Sequence, residues 1–367
     1  MTRTSKVLGA VLAFVALAVI AFMLVLSHDS PCGPAPVLAG KATMKAIVYR
    51  CYGSPEVLRL EDVVKPVPED DAVLVKVRAA SVNPLDWHYM RGKPYVMRLG
   101  AGIGAPTDPR MGVDFAGTVD AVGRNVERFK PGDEVFGGRS GAFGEYVTVR
   151  EMRSIVLKPA NVSFEQAAAV PVAAVTALQA LRDKGKLRAG QKVLVNGASG
   201  GVGTFAVQIA KAMGANVTGV CSTRNVGMVR SIGADHVVDY TRENFTKGGV
   251  KYDLIIDNVG THSPRDYRRV MTSDGILVAV GSLDHGDFIG PLWALARQFL
   301  FSPFVSQTFT SMFAELNQED LEYLAGLMRA GKLVPVVDRS YGLSEVPQAI
   351  GYLEEGHARG KVVIQMP

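Results

Sequence analysis

Six consecutive residues, Ala198-Ser199-Gly200-Gly201-Val202-Gly203, are the part of this chain best suited to bring backbone against a charged ligand. They follow the apolar run KVLV (192–195). They lead into GTFAVQIAKAMGA, where Phe205, Val207, Ile209, Ala210 and Met213 recur at helical spacing. A buried strand, a turn of small residues and a helix form an A-x-G-x-x-G variant of the dinucleotide fingerprint. Backbone N–H groups at the helix's positive end can then reach a pyrophosphate, and Gly203 lets the helix lie close to the strand. A tight turn serving packing alone is the other reading of such a run. The strand before it, the helix after it and further β/α units favour dinucleotide binding.

The second strand decides which dinucleotide. An NAD site ends that strand with an acid for the ribose hydroxyls. Here it reads NVTGVCSTRN (216–225), with no acid. Ser222 can hydrogen-bond a 2′-phosphate and Arg224 can offset its charge, so the expected cofactor is NADP(H). A surface arginine opening the next helix is the plainer account of Arg224.

The elements that must position these residues fall into two rhythms. Residues 44–165 hold short β-rich runs broken by Gly and Pro, such as AVLVKVRAASV (72–82), FAGTVDAVG (115–123) and EYVTV (145–149), which predict a barrel-like β domain. From Ser163 the pattern changes. SFEQAAAVPVAAVTALQAL reads as helix, with Ser163 and Gln166 as a capping box. Apolar runs then alternate with amphipathic helices over 166–310, predicting a parallel sheet covered on both faces. Residues 311–367 read as a return to the first domain.

The N-terminal segment stands apart. Val7–Leu26 is an unbroken run of apolar and small residues, about 30 Å long as a helix, which matches a hydrocarbon core. It is expected to be an uncleaved single-span membrane anchor (residues 1–26), followed by a Pro-, Ala- and Gly-rich linker (27–43). Arg3 and Lys6 bias the rest of the chain outward, whereas NADPH supply points to the cytoplasm, which is slightly favoured. An internal start at Met44 would give a chain without the span. The three cysteines, Cys32, Cys51 and Cys221, are not closely spaced and suggest neither a disulfide framework nor a metal knuckle. The net charge of +5 comes from scattered basic residues, which argues against nucleic-acid binding.

SVNPLDWHYMRG (81–92), GVDFAGTVDAVG (112–123), FKPGDEVFG (129–137), the 196–203 loop, STRN (222–225), GADHVVDY (233–240), DNVG (257–260) and GKVVI (360–364) resemble one family. It is the medium-chain dehydrogenase/reductase superfamily, in its zinc-independent quinone oxidoreductase branch, and the resemblance covers roughly residues 44–367. It implies an α/β fold, a GroES-like β-barrel domain beside a Rossmann doubly wound parallel sheet, with the active site between them. Asn83 and Val113 stand where zinc alcohol dehydrogenases of the superfamily carry cysteine and histidine ligands, and residues 83–160 contain no cysteine. No metal is expected.

The resemblance also distributes roles. Asn83 lies near the nicotinamide and the substrate oxygen. Asp86 positions the loop or the nicotinamide ribose, or serves a helix N-terminus. Tyr95 is a candidate proton donor, with packing as its alternative. Thr176 contacts the cofactor. Ser199, Gly200, Gly201 and Val202 meet the pyrophosphate, Tyr240 the adenosine phosphate end, and Asn258, Val259 and Gly260 the sheet's carboxyl edge. Lys361 lies near the cofactor. The implied activity is NADPH-dependent hydride transfer to a quinone or an α,β-unsaturated carbonyl, enal or enone. Conjugate reduction suits a metal-free site because charge develops on an enolate or hydroquinone oxygen that polar donors can manage. A metal-free alcohol or aldehyde dehydrogenase and a non-catalytic, membrane-anchored NADPH sensor are the rival readings. Homodimers are common in the family. The aromatic run 288–313 is expected to line an apolar pocket, form a dimer surface or lie on a bilayer, with ordinary core packing as the plain account.

Overall fold

The computed structural model describes residues 3–281, 286–288 and 306–367. Most of the run 288–313, including Pro291, Arg297 and Pro303, lies outside the described residues.

Two sheets form the scaffold. The first is built on the long strand β3 (Ala72–Val82), which pairs antiparallel with β4 (Asp114–Val122) on one side. On its other side lie β6 (Tyr146–Arg150) along its first half and β15 (Lys361–Gln365) along its second. Strands β5 (Glu134–Gly138) and β7 (Ile155–Leu157) extend the sheet beyond β4, and β14 (Val337–Gly342) extends it beyond β15. A separate ribbon joins β1 (Thr43–Val48) to β2 (Arg59–Val64). This is the β domain expected from the short, turn-broken runs.

The second sheet is wholly parallel. Strands β8 (Lys192–Asn196), β9 (Asn216–Cys221), β10 (His236–Asp239), β11 (Tyr252–Asp257), β12 (Met271–Ala279) and β13 (Thr308–Ser311) take the order β10-β9-β8-β11-β12-β13. That order reverses direction between β8 and β11, and a crevice opens at such a switch point beyond the strands' carboxyl ends. Val193, Leu194, Val195, Leu254, Ile255 and Ile256 are wholly buried, as strands covered on both faces require.

The helical segment after Ser163 divides in two. Ser163 Oγ accepts from Gln166 N at 3.2 Å and Gln166 Oε1 accepts from Ser163 N at 3.1 Å, closing the expected capping box. The helix Phe164–Ala168 then stops, and a second helix, Pro171–Gln179, begins at a proline that has no N–H to continue the first. One apolar cluster takes Ala79, Ala116 and Phe136 from the first sheet together with Val193, Phe205 and Leu321 from the second half. The two sheets therefore share a core.

Three expectations need correction. A helix does form over Arg3–Ser27, but among the described residues no helix is long and apolar enough to cross a membrane. The single span over residues 7–26 is not supported. Nor do the cysteines all stay free: Cys32 and Cys51 are disulfide-bonded, with Cα atoms 4.6 Å apart, and only Cys221 is a free, buried thiol. A separation of 19 residues carries no pairing signal in sequence; the fold brings the two together. Finally, the linker is not free along its length. Ser30 N donates to Gly104 O at 2.8 Å, and Arg98 holds the carbonyls of Leu26 and His28.

Candidate active site

The loop 197–203 sits at the switch point, between β8 and the helix Gly201–Ala212. Two of its glycines have no substitute. Gly197 holds φ at +76°, and a Cβ there would lie 2.8 Å from Val259 Cγ2. A Cβ on Gly203 would fall 2.0 Å from Gly197 O. Gly200 and Gly201 differ. The nearest atom to a Cβ on Gly200 is Gly197 O at 3.5 Å, and on Gly201 it is Lys361 Cδ at 3.3 Å. The first pair closes the turn and the second leaves an open cradle at the helix N-terminus, which fits a pyrophosphate.

The β11 end faces the same crevice. Asp257, wholly buried, accepts through Oδ1 from Asn196 Nδ2, Val259 N and Gly260 N at 2.9, 3.1 and 3.0 Å. Asn258 Nδ2 donates to Asn196 O at 2.9 Å, leaving Asn258 Oδ1 buried without a partner. Asn225 bridges the first loop to the second strand, donating through Nδ2 to Ser199 Oγ at 3.1 Å and Ser222 Oγ at 3.2 Å, while its own Oδ1 is unmatched. Orphaned buried acceptors of this kind suit ligand hydroxyls. Arg224 Nη2 donates to His357 O at 2.7 Å, so that side chain is tied to the return segment. Tyr240, directly after β10, is 60% exposed.

A second group lies where the sheets meet. Lys361 opens β15 at 3% exposure, and its Nζ donates to Val82 O at 3.1 Å and Asn83 Oδ1 at 2.5 Å. Its counter-charge is Asp114 Oδ2, 3.6 Å away. Asp114 also accepts from Ser81 Oγ at 3.0 Å, Asn83 Nδ2 at 2.9 Å and, at the N-terminus of Pro171–Gln179, Val172 N at 3.0 Å. Asn83 is therefore held by both ends of its amide, by lysine and by aspartate. Burial raises the Asp114 carboxyl above its ordinary range, against the opposing pull of Lys361. Burial likewise lowers the Lys361 ammonium, which the two carboxylates Asp114 and Asp86 partly restore. Asp86, in the helix Pro84–Arg91, accepts from Asn83 N at 2.7 Å, and burial pushes its carboxyl up to about 7.

Gly360 N donates to Ser199 O at 2.9 Å, which sets Lys361 directly beside the glycine loop. The structure thus joins Asn83, Asp86, Ser199, Gly201 and Lys361 into one neighbourhood, and sets Asn258 and Val259 against Gly197 at the start of the same loop. Thr176 Oγ1 donates to Val172 O at 2.6 Å, in the same turn that presents Val172 N to Asp114. Tyr95 belongs to another group: its N–H meets Asp287 O at 2.8 Å and its ring meets Phe288 edge-on at 5.0 Å.

Sequence reasoning missed Asp114, Asn225, Asp257 and Arg98 as site-forming residues. Asp114 did carry a signal, an acid at the head of the apolar strand FAGTV that burial obliges to find a cation. Asn225 and Asp257 lay within the segments STRN (222–225) and DNVG (257–260), though neither was given a role, and Arg98 carried no signal. A cavity of about 590 Å³ on the β domain is lined by Val113, Gly138, Arg139, Arg153 and Leu316, among others, and by none of the expected site residues. Among the described residues no three His, Cys, Asp or Glu side chains are grouped to hold a metal ion.

Comparison with known proteins agrees with this geometry. Residues 69–160 match the family described as alcohol dehydrogenase GroES-like domain, and residues 232–364 match that described as zinc-binding dehydrogenase. The chain is 35% identical over 340 residues to the NADPH-dependent alkenal/one oxidoreductase, chloroplastic, of Arabidopsis thaliana, covering 88% of this chain and 79% of that protein. It is 33% identical over 346 residues to the chloroplast envelope quinone oxidoreductase homolog of the same plant, covering 89% of this chain and all of that one. The solved quinone oxidoreductase from Coxiella burnetii superposes with a TM-score of 0.77 at 30% identity, over 89% of this chain and 100% of the other.

Proposed function

The chain belongs to the medium-chain dehydrogenase/reductase superfamily, in its zinc-independent quinone oxidoreductase branch, and from that premise we propose an NADPH-dependent reductase of quinones or α,β-unsaturated carbonyls. The observation that carries the reading is the cradle at Gly200 and Gly201, open toward the crevice and faced by the buried Lys361. The relatives' names, alkenal/one and quinone oxidoreductase, support the acceptor class.

The dinucleotide, when bound, supplies the hydride. The chain holds and orients it. Backbone N–H groups of Gly200, Gly201 and Val202 stand at the positive end of a helix, where a diphosphate is favoured. Ser222 and Arg224, at the end of β9, are the groups proposed for the 2′-phosphate. Asn258 Oδ1 offers an unused acceptor to a hydroxyl. In its ammonium form Lys361, in this buried setting, favours negative charge on nearby oxygen more strongly than it would in water. Asn83, fixed at both amide ends, holds that lysine in place. Asp86 retains its proton up to about pH 7, so below that pH it adds no negative charge beside the reacting region.

The test is NADPH oxidation by the purified chain against a panel of 2-alkenals, enones and quinones, with NADH in parallel. NADPH-selective turnover of one class supports the reading and names the acceptor. Tight NADPH binding without turnover of any acceptor overturns it.

A further inference from the structure

Arg98 heads the largest fully buried side chains among the described residues, at 1% exposure; it opens the short helix Arg98–Ala101, and its ion pair is with Asp29. Its Nε donates to Gly92 O at 2.8 Å. Every other hydrogen-bond partner comes from the last turn of the N-terminal helix and the residues just after it. Nη1 donates to Leu26 O and His28 O, both at 3.0 Å, and Nη2 to Asp29 Oδ1 at 2.8 Å. The flat guanidinium lies over two rings, Tyr52 at 4.3 Å and Tyr95 at 4.6 Å. Tyr52 is fixed in turn, its hydroxyl donating to Gly102 O at 2.7 Å.

The same short segment is fastened again at its far end. Ser30 N bonds Gly104 O, and Cys32 is joined to Cys51, the residue before Tyr52. Residues 26–32 thus cross the loop 92–104 as a strap, tied by Arg98 at one end and by a covalent bond at the other. What the strap holds matters. Tyr95 lies under the guanidinium and connects onward to Asp287 and Phe288, beyond the carboxyl end of β12. Without the strap, Arg98 would keep only Gly92 O and would be a buried cation with most of its donors unmet, a state that forces the loop to rearrange.

We infer that Arg98 is a positioning residue for the loop that carries Tyr95, and that the Cys32–Cys51 disulfide keeps the strap on it, so that opening the bond lowers acceptor turnover. The step is thiol–disulfide exchange. A dithiol gives two electrons and two protons to the Cys32–Cys51 bond, leaving two thiols, and itself closes to a disulfide. The inference deepens the reductase reading and rests on it for its kinetic arm.

The experiment uses the full chain poised in oxidised or reduced dithiothreitol, with thiol alkylation and mass measurement reporting the bond. Reduction is expected to lower kcat/KM for the acceptor about tenfold, because the loop continues directly from the helix Pro84–Arg91 that carries Asp86 and small displacements beside that group cost rate steeply, while leaving the NADPH Kd within about twofold. Cys32→Ser, which leaves Arg98 and its partners in place, is expected to match the reduced enzyme and to ignore the redox poise. Arg98→Lys, which keeps the charge and loses the fork, is expected to raise the acceptor KM in both poises. A second readout does not need turnover: hydrogen exchange at Tyr95–Met97 should speed up on reduction. Equal kcat/KM and equal exchange in the two poises would overturn the inference, as would redox sensitivity that persists in Cys32→Ser. If no acceptor is reduced in either poise but exchange responds, the strap stands and the reductase reading falls.

Discussion

Asp86 provides the sharpest quantitative test, because a buried carboxyl writes itself into the pH dependence of stability. It is 2% exposed, accepts a hydrogen bond from Asn83 N, and has its carboxyl raised by burial from 3.8 to about 7. A folded-state value above the unfolded one means that the folded protein binds the extra proton. The stability it holds at low pH is therefore lost as pH rises from about 4 to about 7, at about 1.4 kcal/mol per pH unit, and is then constant. The whole loss is about 4 kcal/mol, of the size found for a strained buried charge. Asp86→Asn removes the titration while keeping an oxygen for Asn83 N, and gives up roughly 1 kcal/mol of charge-assisted bonding. The variant should match the wild type near pH 4 and exceed it by about 2–4 kcal/mol at pH 7 and above. Urea unfolding of both proteins at half-unit steps from pH 4 to 8.5 reads the difference directly. A difference that stays flat across that range, or that runs the other way, would refute the assignment of a neutral, buried Asp86.

Gly203→Ala places a methyl 2.0 Å from a backbone oxygen, so the loop must move and NADPH affinity should fall at least about tenfold by fluorescence titration; Gly201→Ala meets only the flexible Lys361 stem and should cost far less in folding. Arg224→Ala should weaken NADPH by about tenfold and leave NADH nearly unchanged, because the 2′-phosphate is the only group that distinguishes them; equal losses for both would remove the phosphate role. Asp320 is 1% exposed and accepts from Gln179 Nε2, Arg182 Nη1 and Asn317 Nδ2 at 2.7, 2.5 and 2.9 Å. Asp320→Ala strands those donors and should destabilise by about 3 kcal/mol, seen as a lower urea midpoint with an unchanged slope.

What could be read from the sequence was local. The glycine loop declares itself because small residues, a strand and a helix are contiguous, and steric limits act on neighbours: the Gly203 Cβ meets Gly197, six positions away. The parallel sheet follows from alternating strands and helices, whereas its strand order comes only from the structure. The Asp114–Asn83–Lys361 group was harder. Lys361 and Asn83 are 278 positions apart, and only the antiparallel register of β15 on β3, with Val362 opposite Val82, brings them together. Arg98 was illegible altogether. Its burial depends on a strap that composition marks as an ordinary linker, and on a cysteine pair whose spacing carries no signal. Side chains satisfied by distant backbone leave no periodicity to find.

The late arrival of β15 has a consequence for biosynthesis. At about 5–20 residues per second, the interval between synthesis of Asn83 and of Lys361, 278 positions later, is roughly 15–60 s. During that time Ala79–Val82 lacks β15 on one side, Asp114 lacks the Lys361 charge, and the glycine loop can already be formed by local contacts alone. The glycine loop thus forms before the candidate site is complete, and the lysine that joins Asn83 and Asp114 arrives on translation's schedule.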